Sequence, residues 1–140
     1  MIKHKLTLIF MIILIFSSAK AELSNFEIGK NFFKEKKYDL AKFKFEQDIV
    51  HNPKNENSYL YLSKIFKELK KKDLEEKNLN TVILLNPLNE EATFNLAKLK
   101  LEESDYKGSN NLVNKLLTFC KNYCNQSKEL KIEIEKSLKK

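Results

Sequence analysis

The residues with most chemical reach are two cysteines, Cys120 and Cys124, and a histidine, His51. An even cysteine count suggests a disulfide if the chain is exported to an oxidising compartment. Spacing alone argues against it, because an i,i+4 pair inside one regular helix seldom reaches disulfide geometry. A bend at Lys121, Asn122 and Tyr123 brings the pair together; without one, two buried or free thiols remain the alternative. Redox or metal function is the weakest of the three readings. His51 precedes Asn52 and Pro53 at a helix end, where an imidazole meets the last carbonyls and the helix dipole. No serine or cysteine has an identifiable base partner. Gly29 and Gly108 lie too far apart for a phosphate-cradling loop. The acidic pairs Glu75-Glu76, Glu90-Glu91 and Glu102-Glu103 are the usual marks of solvated faces or helix starts. The sequence therefore offers no catalytic set, no metal set and no cofactor site, and the expectation is a protein that is not an enzyme.

The elements that carry these residues are helical. The 140 residues allow one domain of ordinary size, and they hold only two Gly, two Pro and no Trp. Few turn formers and many straight-chain residues favour helices over sheets. Every basic residue other than histidine is lysine, which removes the planar fork that recognises phosphate bidentately.

Residues 1–21 read as a secretory signal. Lys3 and Lys5 precede an apolar run from Leu6 to Phe16, and small residues lead to a cleavage point after Ala21. The run is shorter than a membrane span, and an uncleaved anchor is the alternative. Either way the remainder is expected outside the cytoplasm, in the periplasm or attached to the envelope. Membrane contact is expected only through an uncleaved leader. Cleavage lowers the formal charge of +7 to about +4. Lysines and acids then alternate throughout, which fits a solvated helical surface and not a nucleic-acid stripe.

Pro53 and Pro87 stand 34 residues apart, each after an asparagine, and the offset recurs. Ile28, Leu62 and Leu96 fall in register, followed by the small residues Gly29, Ser63 and Ala97. Phe45, Leu79 and Val113 match, as do Ile49, Ile83 and Leu117. Within a unit, apolar residues at spacings of three and four give two helices, and the proline closes the second. Asp73 with Glu76 has the spacing of a capping box for the second helix of the middle unit. The small residues mark a close helix crossing, where a larger side chain would push the backbones apart. Leu130, Ile134 and Leu138 make a last narrow stripe, expected as a helix that covers the open flank of the third unit.

This pattern resembles the tetratricopeptide repeat. Ile28-Gly29, Phe32, Tyr38, Ala41, Phe45 and Pro53 meet its motif in full. The second unit departs at Lys72 and Glu75, and the third at Lys100 and Lys121. The resemblance implies an all-α, right-handed superhelical stack of antiparallel helix pairs. Its units are 22–55, 56–89 and 90–123, with a capping helix at 124–140. It also implies a concave groove lined by the first helix of each pair. Phe26, Leu60 and Phe94 recur there at the 34-residue offset, beside Lys30, Lys64 and Lys98, and Phe33 and Leu101 widen the apolar row. Such a groove suits a protein or peptide partner with apolar and acidic residues. The family's carboxylate-clamping set is missing, since Glu91 and Asn95 stand where cations belong. The expected role is an adaptor or scaffold in a bacterial envelope assembly; a self-associating structural protein, such as a homodimer, is the rival.

Overall fold

A computed structural model describes residues 23–139. The expected signal segment lies outside the described residues. Seven helices follow in order: α1 (Asn25–Lys34), α2 (Tyr38–His51), α3 (Glu56–Glu68), α4 (Lys72–Leu85), α5 (Glu90–Glu102), α6 (Tyr106–Leu117) and α7 (Cys124–Leu138). No strand occurs among the described residues.

Local chemistry sets the ends of these helices. Ser24, Asn55 and Asn89 cap α1, α3 and α5, each accepting a hydrogen bond from a backbone N–H of the first turn. Asp105 caps α6 in the same way. The capping box expected at Asp73 does not form. Helix α4 starts two residues earlier than that cap requires, at Lys72 after Lys71, so Asp73 already lies inside the first turn and favours the helix only through its charge.

The turns inside the three pairs share one geometry. Lys37 donates its N–H to the Phe32 carbonyl, Lys71 to Phe66 and Asp105 to Lys100. These bonds put Lys36, Lys70 and Ser104 in the left-handed region, with φ of 57°, 55° and 64°. They close Schellman-type ends, where glycine is the usual choice.

The apolar core consists of three nodes, each shared between neighbouring pairs. Ala41, Phe45, Leu62, Ile65 and Phe66 join the first pair to the second. Leu60, Leu79, Val82, Ala92, Leu96 and Leu99 join the second to the third. Ala97 and Val113 meet Leu130 and Ile134 of α7, which covers the end of the stack. Ser127, Leu130 and Ile134 form the buried stripe of that helix, whereas Leu138 is 56% exposed and takes no part.

The small-residue positions are tight. A Cβ added at Gly29 would lie 2.9 Å from Cε1 of the fully buried Phe45 ring. The Ser109 hydroxyl donates to the Ala97 carbonyl at 2.7 Å. In the middle pair Glu75 takes the place of Ala41 and Ser109 and is 5% exposed. Burial pushes its carboxyl pKa up, against the pull of Lys67. Lys100, which replaces an aromatic, reaches Glu76 on α4 at 2.6 Å and Glu103 at 3.2 Å. The hydrogen bond that Lys100 donates to Glu76 leads in raising the Lys100 pKa. A polar seam thus replaces apolar packing between α4 and α5.

Two substitutions test this packing. Gly29→Ala should cost about 1–3 kcal/mol in urea unfolding, because the bulky Phe45 ring has to yield. Glu75→Ala should raise the melting temperature near neutral pH and give a smaller gain in acid. The raised carboxyl pKa means that the folded state holds the proton more tightly, so Glu75 weakens the fold as pH rises above the ordinary value of 4.5. An equal effect at both pH values would refute the assignment.

Candidate functional site

The first helices of the pairs form one layer. Helix α1 touches α3, and α5 touches α7. Lys64 of α3 pairs with Glu91 of α5 at 2.7 Å, so the layer is continuous across the middle of the stack.

Its N-terminal half is aromatic. Tyr61 of α3 lies at the centre, with ring centroids 5.8 Å from Phe26, 5.2 Å from Phe33 and 5.0 Å from Phe45. Phe45 is buried, while Phe26, Phe33 and Tyr61 keep part of their surface exposed. Lys30 lies over Phe26 at 5.3 Å and Lys64 over Tyr61 at 5.0 Å, each ammonium facing the electron-rich side of a ring. The spacing by which these pairs form is local: a lysine three or four positions after an aromatic on the same helix face.

Not all expected groove residues share this surface. Leu60 is only 6% exposed and belongs to the core node between the second and third pairs. Its side chain is drawn inward because Leu79, Val82 and Leu96 leave an apolar space there, so it offers nothing to a ligand. Phe94 and Leu101 are half-buried at the other end, against the node that α7 completes. The lysine row is partly neutralised. Lys30 binds Glu27 at 3.0 Å and Lys64 binds Glu91, whereas Lys98 makes no ion pair among the described residues.

The far end is built by the link to α7. Cys120 and Cys124 are joined by a disulfide, with bends at Lys121, Asn122 and Tyr123 between them. Glu90, the first residue of α5, accepts the backbone N–H groups of Asn122 and Tyr123 at 2.8 and 2.9 Å. These bonds, that of Tyr123 foremost, hold the Glu90 carboxyl below its ordinary range. Tyr123 is thereby placed on Phe94, 5.3 Å between centroids. Burial raises its phenol pKa, with Glu91 and Glu90 adding to the effect. Lys98 lines two neighbouring hollows of about 460 and 210 Å³, together with Leu130 and Glu133. Glu102 borders the first and Glu129 the second, so the cation stands among carboxylates.

Among the described residues no His, Cys, Asp and Glu cluster could hold a metal ion. His51 is exposed in the last turn of α2, away from every residue of the layer named above. Two members of the site escape a search by columns. Tyr61 shares its column with Glu27 and Asn95, and Tyr123 lies in the bend that ends the third unit, in a column with Asn55 and Asn89. The readable signal for Tyr61 was its place three residues before Lys64.

The Glu90 tie gives a direct test. Its depressed pKa means that it supports the fold above the ordinary carboxylate range and that this support is lost as pH falls through the lowered value. In Glu90→Gln the Asn122 and Tyr123 amides should exchange with deuterium at least tenfold faster at neutral pH. Wild-type protection in the variant would show that the carboxylate is not the fastening.

No family model matches the sequence, and no curated protein matches it. Solved structures do. The first TPR domain of Spaghetti (RPAP3), bound to an HSP90 peptide, superposes with a TM-score of 0.75 at 19% identity, over 83% of this chain and 91% of that one. The TPR2B domain of yeast Sti1, in a complex with pHsp70, gives 0.71 at 14%, over 77% and 90%. PcrH, in complex with the chaperone-binding region of PopD, gives 0.73 at 13%, over 80% and 89%. At such identities the likeness is one of fold. Three antiparallel helix pairs in 34-residue register, their shared nodes and these superpositions make this chain a tetratricopeptide-fold α-solenoid closed by a capping helix.

Proposed function

We propose that this chain is a protein-interaction module that receives a partner peptide or helix on the layer formed by its first helices. The observation that carries this reading is the partly buried cluster of Phe26, Phe33 and Tyr61 with Lys30 and Lys64 over its rings. Aromatics grouped on one face with part of their surface open to solvent are marks of contact surfaces. Peptide complexes of the fold neighbours support the same use of the fold. The cationic aromatic half suits a segment that brings apolar side chains and a carboxylate. The end around Lys98 is bordered by Glu102, Glu129 and Glu133 and suits a polar or basic continuation of the same segment.

The leader-like residues 1–21 support a site of action outside the cytoplasm. The chain then serves as an adaptor in a cell-envelope assembly. A self-associating structural role is the rival, and light scattering over a range of concentrations separates the two: a monomer throughout opposes self-assembly.

Lys30→Glu with Lys64→Glu reverses the ammonium groups over the rings and leaves the apolar nodes intact. This variant should lose at least tenfold in capture of the envelope partner that wild type retains, with helical circular dichroism unchanged. A control, Lys107→Glu on α6, should capture normally. Equal capture by all three proteins would move the site off this layer.

A further inference from the structure

We propose that the edge formed by the turns of the first two helix pairs docks on an anionic lipid surface. Lys34, Lys36 and Lys37 surround the first of these turns, and Lys70, Lys71 and Lys72 surround the second. All six are exposed. Lys37 pairs with Glu35 at 2.7 Å, and the other five make no ion pair among the described residues. Asp39, Glu68 and Asp73 are the remaining acids of these turns, which leaves the edge cationic. Successive pairs stack in register, so the two turns lie along the same edge of the stack.

Lys36 and Lys70 share their left-handed backbone with Ser104 of the third turn, so it belongs to the common turn geometry. Neither lysine side chain makes a hydrogen bond or ion pair among the described residues, and both ammonium groups face solvent.

Apolar exposure follows the charge. Leu40 and Leu74, equivalent by the 34-residue offset, are 50% and 38% exposed at the start of α2 and α4, and Leu69 in the second turn is 36% exposed. In the third pair both features stop together. Its turn carries Glu102, Glu103, Ser104 and Asp105, and Gly108 holds the column of the leucines. Cations beside short apolar side chains match a bilayer, with lysines at the headgroup phosphates and leucines at the acyl boundary. Nucleic acid uses the first kind of contact and has no use for the leucines; the absence of arginine weighs against it further. The sequence reading allowed membrane contact only through an uncleaved leader, and this edge offers a second route independent of it.

The test uses the full chain with vesicles of phosphatidylcholine, alone or with about three parts in ten of phosphatidylglycerol. The variant Lys36→Gly with Lys70→Gly removes two cations and relieves strain, so it folds at least as well as wild type. Any affinity of the leader is common to both proteins, and the difference between them isolates the edge. The preference for anionic vesicles should fall about fivefold per lysine removed, and the wild-type preference should weaken with salt. Leu40→Ser with Leu74→Ser should lower the part of binding that survives high salt. The groove variant Lys30→Glu with Lys64→Glu should keep the effect of the edge lysines on vesicle binding, which separates this proposal from the partner site. An unchanged preference in the glycine variant overturns the proposal. So does binding of wild type to soluble DNA or polyglutamate in place of vesicles.

Discussion

Every apolar node of this stack belongs to two neighbouring units. Phe45 meets Phe26 within its own pair, and α3 adds Leu62, Ile65 and Phe66 to complete its burial; Val113 meets Ala97, and α7 adds Leu130 and Ile134. No pair closes a core by itself, so stability is a chain of neighbour contacts. That dependence explains the close crossing at Gly29, which lets the first pair present Phe45 to the second. It also explains why the last pair needs a covering helix, and why that helix is fastened by both a disulfide and the Glu90 carboxylate.

Polar atoms are placed to fit this scheme. Asp48 is buried at the end of α2 and accepts from Ser58, Asn55 and Asn52, so the first linking turn is satisfied from within. Glu56 accepts from Asn86 and Asn89 in the second linking turn, and Glu90 from the backbone of the third. Charge enters the apolar register at Asp48, which shares its column with Val82 and Leu116, and again at the seam of Glu75, Glu76 and Lys100. There Lys100 fills an aromatic's space and finds the Glu76 carboxylate across it, while the neighbouring Glu75 stays buried without that cation.

The period was legible because close packing tolerates few residue types at a crossing, and Gly29, Ser63 and Ala97 could be aligned by size alone. The positions of α1 to α6 follow from that register. The site was harder to read. A column names which residues are equivalent, but the direction of each side chain depends on what its neighbours leave open. Leu60 turned inward because its pocket was apolar, and Tyr61, one position on, took the place at the surface. The αL lysines were invisible for a related reason: nothing in the identity of Lys36 or Lys70 announces a backbone state that glycine normally holds.

The acid that opens a unit reaches its partners about 30 residues later in the chain: Glu56 holds Asn86 and Asn89, and Glu90 holds Asn122 and Tyr123. In a polypeptide that emerges from its N-terminus, the acid therefore appears well before the turn it must fasten. Each unit waits, its node half open and its carboxylate in water, until nearly one further unit has emerged. Assembly thus follows the direction in which the chain emerges, and the youngest pair is the unprotected one until α7 covers the third.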